Sequence, residues 1–402
     1  MTPDTMRAID HWVGVPLCFV LTVIRRLFGR GACPRRPVRR VLFIELSEMG
    51  STILADPAMR KTRAVLGAEL FFVIFRRNAA SLKFLDTVPA ANIYTIREDS
   101  LVALAVDTLG LLLWTRRRGI DSVIDLELFS RFTALLCGLV GADHRVGFHG
   151  FHNEGLYRGA LITHRVAYNP HIHIAKNFIA LVNALASPAP EIPYSKTAIG
   201  DDEIQVAQVS VGETAKADLR RRVGEAVPGF ADGTRRLVLI NSNASEMLPQ
   251  RRWPAEHFAE LARLILARWP DVVVLLTGSP DEEESAARLA AQVDDARLAS
   301  IAGRLALSDL PALYSVARLM ITNDSGPGHF ASVTGMATIV LFGPETPALY
   351  RPLGNTVALT AGLACSPCVS ATNHRKTACT EPVCMRVLSP LTVFQAVVDA
   401  LG

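Results

Sequence analysis

Short apolar runs alternate with longer amphipathic stretches along most of this chain, and that rhythm predicts its architecture. Strands are expected at Val41–Leu46 (VLFIEL), Leu70–Phe75, Asn92–Ile96 and Ser122–Leu126, with a shorter one at Arg145–Phe148. Helical patterns lie between them, and alternation of this kind predicts a parallel sheet covered on both faces. The first helix begins after Val41–Leu46 and ends at Gly67; Asp56-Pro57 inside it predicts a kink or a second start. Residues 41–186 are expected to form one domain. Pro188, Pro190, Pro193 and a charged helical stretch mark 187–234 as a connection. The alternation resumes over 235–402, with strands at Leu237–Asn241 and Val272–Thr277 and helices over Ala255–Ala267, Glu282–Gln292 and Ser308–Val316.

The last part of that array carries its most informative stretch, ITNDSGPGHFASVTGMATIVLFGP. A strand (Arg318–Thr322) breaks into Asn323-Asp324-Ser325-Gly326-Pro327-Gly328-His329. A helix over Phe330–Thr334 and a second strand (Thr338–Phe342) are expected to follow. In doubly wound sheets, ligands sit outside the carboxyl ends of the strands. A loop opening a helix there offers backbone N–H groups and a positive dipole end, which suits a phosphate. Gly326 and Gly328 allow close backbone approach, and Asp324 is placed to accept from a ribose hydroxyl. The plainer alternative is an ordinary connection with Asp324 as the helix N-cap.

Composition adds two facts. With 402 residues, half of them hydrophobic, the chain can bury two large cores, and a net charge of +4 gives no reason to expect nucleic acid. The charge is uneven, however: seven arginines fall between Arg25 and Arg40 with no acid among them. Before them, Trp12–Ile24 is apolar but short of the roughly 20 residues that span a bilayer. No removable signal peptide is evident. Residues 1–40 therefore read as an arm lying on an anionic cytoplasmic leaflet. The alternative is a helix packed on the protein's own surface, with the arginines as a solvated linker. Seven cysteines without an export signal argue for a reducing compartment.

The run Asn-Asp-Ser-Gly-Pro-x-His, then Ala-Ser-x-x-Gly, an apolar strand and Phe-Gly-Pro-Glu-Thr-Pro, resembles the nucleotide-binding signature of glycosyltransferase family 9, the ADP-heptose:lipopolysaccharide heptosyltransferases. The resemblance extends from Val41 to about Leu388. It implies an α/β fold of the GT-B type, two Rossmann-like doubly wound domains facing a cleft, here with the N-terminal apolar and basic arm in addition. It implies an inverting transfer of a sugar, heptose from ADP-heptose by family precedent, to a lipopolysaccharide-core or other glycolipid acceptor. The enzyme would act peripherally at the cytoplasmic face of the inner membrane, and no cofactor is required.

The resemblance also assigns residues. Family members commonly carry Asp directly after the first glycine of Ser47-Glu48-Met49-Gly50-Ser51, where it serves as general base; here that residue is Ser51. A serine is no base unaided, so Glu48 in the same loop is the candidate substitute. Its plainer role would be to cap the following helix. The run Asn241–Pro254 (NSNASEMLPQRRWP) resembles the family's phosphate loop, with Arg251 in place of the commoner Lys and Ser245 as a further donor. Glu282 matches a position that contacts the nucleoside, within an acidic run that otherwise reads as dipole-stabilising. Gly50, Asp324, Ser325, Gly326 and His329 complete the expected donor group. His171 and His173 resemble a family stretch and are expected to hold helix geometry.

Cys365, Cys368, Cys379 and Cys384 have a spacing that four zinc ligands can take, and cysteines so spaced recur in the family. Structural zinc and free thiols are the two expectations. Two further readings stand beside transfer. Ser51 at the usual Asp position fits a non-catalytic nucleotide-sugar-binding protein. A GT-B epimerase or hydrolase would use no lipid acceptor, which leaves the basic arm without a purpose.

Overall fold

Strand β1 (Arg40–Ile44) is buried along nearly its whole length, as a strand covered on both faces must be. It lies at the centre of a six-stranded parallel sheet with β2 (Glu69–Phe75), β3 (Ile93–Ile96), β4 (Ser122–Asp125), β5 (His144–His149) and β6 (His164–Ala167), in the order β3-β2-β1-β4-β5-β6. The computed structural model describes residues 3–28, 37–151, 156–227, 230, 233–371, 373 and 375–402. Its helices in this half are α1 (Pro3–Trp12), α2 (Gly14–Phe28), α3 (Met49–Leu66), α4 (Leu101–Arg118), α5 (Arg131–Leu139) and α6 (Ile174–Ala186). Residues 1–205 form one compact unit and 206–402 another.

The second unit repeats the plan. Strands β7 (Arg236–Asn241), β8 (Val272–Leu276), β9 (Leu298–Ser300), β10 (Leu319–Asn323), β11 (Ala337–Phe342) and β12 (Thr356–Thr360) pair in the order β12-β11-β10-β7-β8-β9. The helices are α7 (Glu213–Ala226), α8 (Ala255–Arg268), α9 (Glu283–Val293), α10 (Leu310–Val316), α11 (Gly326–Ala331), α12 (Pro347–Tyr350), α13 (Val383–Arg386) and α14 (Pro390–Leu401). Both sheets are thus doubly wound and Rossmann-like, as the GT-B class requires. In each, the strand order reverses beside the first strand: between β1 and β4, and between β7 and β10. Ligand sites are expected at these two switch points.

Several sequence expectations are corrected. Helix α3 runs unbroken through Pro57. Asp56, buried in its middle, accepts from Arg60 Nε at 2.8 Å and from Thr87. Gly67 ends it with φ near 60°, donating its N–H to Arg63, a conformation in which a Cβ is strained. Strands β6, β9 and β12 were not expected. The charged helical stretch expected within 187–234 is α7, which packs on α10 in the second unit.

The apolar N-terminal stretch is longer than its 13-residue core. Thr5–Phe28 is helical over 24 residues, enough by length and composition to cross a membrane. Here it packs on α5. Asp10 accepts the backbone N–H groups of Arg131 and Phe132, both at 2.9 Å, and pairs with the Arg131 guanidinium at 3.3 Å. A residue of α1 thereby satisfies donors that the first turn of α5 cannot pair within itself. Cys18 is fully buried with Ala134 and Leu161, and Thr22 Oγ1 accepts from Ala160 N at 2.9 Å. Arg30, Arg35, Arg36 and Cys33 lie outside the described residues.

Candidate functional site

At the switch point of the second sheet, the loops after β7, β10 and β11 are tied together by side chains. Asn323, fully buried at the end of β10, accepts from Trp253 N at 3.0 Å and donates to Ser242 O at 2.9 Å. The Asn241–Pro254 loop is therefore fastened to the glycine motif through one amide. Trp253 anchors the loop's far end, donating its indole N–H to Leu388 O at 2.8 Å. Arg251 is thereby set between two buried carboxylates. Its Nε lies 3.5 Å from Asp324 Oδ2 and its Nη2 donates to Glu345 Oε1 at 3.3 Å. Arg375 reaches Glu345 Oε1 at 3.5 Å and lies over the Tyr350 ring.

The motif itself differs from its expected form. The helix starts at Gly326, not Phe330, so the glycines are its first turn, with Pro327 where a fixed φ suits helix entry. The N-cap residue is Ser325 and not Asp324; its hydroxyl donates to Asn323 O at 3.2 Å and makes no cap bond. Gly328 serves packing: a Cβ there would meet Pro352 at 3.1 Å and Thr322 and Val340 at 3.5 Å. His329 is buried in α11. With six residues, α11 supplies a short dipole; the full charges at this site are Arg251 and Arg375 set against Asp324 and Glu345.

The other expected donor residues are more dispersed. Ser245 is exposed; its hydroxyl accepts Met247 N at 3.2 Å and shapes a local turn. Glu282 accepts Ser279 N at 2.7 Å in a capping box, which commits one of its oxygens. It stands at the end of β8, beside the site's β7 loop, where Asn243 donates to Ser285 Oγ at 3.2 Å. Gly50 lies in the first unit, in the first turn of α3.

At the switch point of the first sheet, Glu48 occupies the N-cap position of α3 but makes no side-chain cap bond. Its Oε2 instead accepts from Ser51 Oγ at 3.2 Å, so Glu48 and Ser51 are brought together. The loop they sit on is held by Glu127, which sequence reasoning missed. Glu127 Oε1 accepts Leu46 N at 2.9 Å, Ser47 N at 3.0 Å and Ser47 Oγ at 2.8 Å. Burial pushes the Glu127 carboxyl above its ordinary range, the backbone bond to Leu46 and the Ser47 hydroxyl oppose that, and the Asp125 and Glu48 charges add to it. Behind it, Asp125 accepts Glu127 N at 3.2 Å and is paired in the interior with Arg158. Arg158 also donates to Ser130 O and Phe148 O, both at 2.9 Å. The lone acid after a strand, in DLELFS, is the only sequence signal for this arrangement. Glu345 is part of the Phe-Gly-Pro-Glu-Thr-Pro run, but nothing there marks it as Arg251's partner.

Two other groups resolve simply. His173 is the N-cap of α6, its Nδ1 accepting from Ala175 N at 3.2 Å, and His171 is exposed. Cys365, Cys368, Cys379 and Cys384 are free thiols, and among the described residues no three His, Cys, Asp or Glu side chains are grouped to hold a metal. Cys368 donates to Thr377 Oγ1 and Cys379 to Glu381 O, and Cys384 is buried with Met385 against Gly343. Of the two expectations, the described side chains show thiols with local hydrogen bonds and packing.

Comparison with known proteins bears on the family and the fold. The sequence profile of glycosyltransferase family 9 (heptosyltransferase) matches residues 115–378. Lipopolysaccharide heptosyltransferase 2 of Escherichia coli is 26% identical over 230 residues, 56% of this chain and 60% of that protein. Lipopolysaccharide heptosyltransferase 1 of Pseudomonas aeruginosa is 34% identical over 124 residues, covering 30% of this chain and 34% of its own length. The chain thus spans at most 60% of these two relatives. Among solved structures, E. coli ADP-heptose lipopolysaccharide heptosyltransferase II superposes with a TM-score of 0.67 at 19% identity, over 90% of this chain and 98% of that one. A family 9 glycosyltransferase from Veillonella parvula gives 0.67 at 20% identity, over 90% and 97%. At these identities the structural likeness speaks to the fold.

Proposed function

The chain belongs to glycosyltransferase family 9, and from that premise we propose that it moves a sugar from a nucleotide-activated donor to a glycolipid acceptor. ADP-heptose is the donor and the lipopolysaccharide core the acceptor that the names of its relatives favour. The observation that carries the reading is the placing of Arg251 between Asp324 and Glu345 at the switch point of the second sheet. A guanidinium held by two buried carboxylates, with Nη1 also donating to Asp324 O at 3.4 Å, is fixed in place, and the N–H groups left over on Nη1 and Nη2 suit the phosphates of a nucleoside diphosphate. Asp324, Ser325, Gly326 and His329 line the same strand end, and Glu282 and Ser245 complete the nucleoside side of the site.

In this reading Glu48 is the base. Its carboxylate takes the proton from the acceptor hydroxyl as that oxygen forms the new bond to the anomeric carbon. The bond from that carbon to the diphosphate breaks on the opposite face, which inverts the configuration. Ser51 Oγ, hydrogen-bonded to Glu48, holds the carboxylate in one orientation. The negative charge leaving with the nucleoside diphosphate is met by Arg251, without a metal. The long apolar and basic N-terminal helices support action at a membrane surface, where a glycolipid resides.

Nucleoside diphosphate release, followed with ADP-, GDP- and UDP-sugars in the presence and absence of a lipopolysaccharide-core acceptor, tests this. Release from one donor only when the acceptor is present is expected. Equal release without acceptor would make water the acceptor and the chain a hydrolase. Donor binding with no release would leave a binding protein.

A further inference from the structure

Helix α4 leaves a stripe of aliphatic side chains uncovered. Val102, Val106, Leu109 and Leu113, at i, i+4, i+7 and i+11, are 74%, 55%, 63% and 58% exposed. Its opposite side is well used: Leu104, Leu111, Leu112 and Trp114 pack on the core beneath. A surface helix normally turns charged residues outward. Within α4 the only acid is Asp107, which is held by Arg97 at 2.7 Å, and the last three residues are Arg116, Arg117 and Arg118. Helix α2 has the same character, with Leu17, Val20, Ile24 and Leu27 exposed, no acid, and Arg25 and Arg26 in its last turn.

The two helices belong to one face of the first sheet. Met6 of α1, the inner side of α4, and Leu136 and Cys137 of α5 all pack on the same core cluster, and α2 packs on α5 through Cys18 and Leu21. Their basic ends converge. Arg25 of α2 donates to Gly138 O and Arg116 of α4 donates to Leu139 O, so both meet the last turn of α5. Arg40 joins them by donating to Arg118 O at 3.0 Å. Arginines 91 residues apart in sequence thus collect at one end of an apolar face, with α4 alone contributing about 27 Å of its length.

We propose that α2 and α4 together form a single docking face for an anionic lipid bilayer, with aliphatic side chains entering the acyl boundary and the arginine edge meeting lipid phosphates. Charge selects this occupant: an apolar area fringed by arginines and nearly free of acids matches a negatively charged lipid surface. The inference builds on the membrane reading above and adds a second helix, more than 70 residues beyond the N-terminal stretch, which that reading does not contain.

Binding of the full-length protein to phosphatidylcholine vesicles, with and without phosphatidylglycerol, tests it in three variants. Val106→Glu/Leu109→Glu alters only α4, Val20→Glu/Ile24→Glu alters only α2, and Arg117→Glu alters only the basic edge. Each pair is expected to lower affinity for phosphatidylglycerol vesicles by more than about tenfold. Arg117→Glu should weaken that affinity about fivefold or more and leave phosphatidylcholine binding unchanged. Donor binding and the sedimentation coefficient should match the parent throughout. If the α4 pair and Arg117→Glu bind as the parent does while the α2 pair is weakened, the N-terminal stretch alone touches lipid and the proposal is wrong. Parent-like binding by all three removes the membrane reading as well. If the α4 pair instead converts a parent dimer to monomer with lipid binding intact, the face is a contact between two copies.

Discussion

Glu127 Oε1 accepts the backbone N–H of Leu46 at 2.9 Å, so the loop carrying Glu48 is held by a carboxylate 81 residues further along the chain. Asn323 does the corresponding work at the other switch point, joining the end of β10 to the loop after β7. In both sheets the two strands at the reversal are thus joined at their carboxyl ends by one polar side chain. A loop that must present a reactive or phosphate-binding group needs such a restraint, because its own backbone is bound by no ladder.

The Glu127 restraint has a kinetic signature. The Glu48 charge is one of the causes that push the Glu127 carboxyl up, so the two carboxylates repel each other. Glu127→Gln keeps an acceptor for Leu46 and Ser47 but removes the Glu127 charge. The acidic limb of the kcat/KM profile should therefore move to lower pH. Glu127→Ala also loses the restraint, and turnover should drop by about 10²-fold with donor affinity unchanged. A pH–rate profile of Glu127→Gln superimposable on the parent's would show that the two carboxylates do not interact.

Arg251 is expected to carry charge on the nucleotide. Arg251→Ala and Asp324→Ala should each weaken donor binding by about tenfold or more, given roughly 1.5–3 kcal/mol for a charge-assisted hydrogen bond. Arg251→Lys should fall between parent and Arg251→Ala, since an ammonium lacks the fork that bridges two carboxylates and a phosphate. Calorimetry with the nucleoside diphosphate alone checks this. Parent affinity in both alanine variants, each folded, would remove the cluster from the donor site.

Asp10 joins the N-terminal helices to the first sheet. In Asp10→Ala two backbone N–H groups of α5 lose their acceptor and Arg131, itself buried, loses a carboxylate. The cost should be about 1–3 kcal/mol. For a unit of this size each kilocalorie lowers the thermal midpoint by about 2–4 °C. An unchanged midpoint in differential scanning calorimetry would mean that α1 does not hold α5.

The legible parts were those with strong periodicity or a long ordered motif. Val41–Ile44 and Val272–Leu276 are unbroken apolar runs, and only a doubly covered parallel strand uses such runs at that length. The Asn323–His329 run marked its site because its glycines, proline and polar residues occur in a fixed order. Strands β6 and β9 were invisible for a physical reason: HRVA carries two polar residues, and LAS has three residues in all. β12 is an edge strand whose burial alternates weakly, so it resembles a loop. Glu127, Glu345 and Arg375 were missed because their importance is tertiary. Each meets its partner across a switch point or from a distant loop, and no spacing along the chain encodes that. The cysteine spacing left zinc and free thiols both open, and what it did not encode is local: Cys384 packs against the core while Cys368 and Cys379 bond to neighbours in the chain.

The central claim is that this chain transfers a sugar with Glu48 as base, and one substitution tests it most directly. Glu48→Gln preserves shape and the Ser51 hydrogen bond but cannot take a proton. Acceptor-dependent release of the nucleoside diphosphate should fall by about 10²–10⁴-fold, the worth of a positioned base, with donor affinity held near the parent's. Ser51→Asp added to it should restore part of the rate if both positions face the same hydroxyl. Release by Glu48→Gln at the parent rate would contradict the account and return Glu48 to the role of a helix-terminal residue.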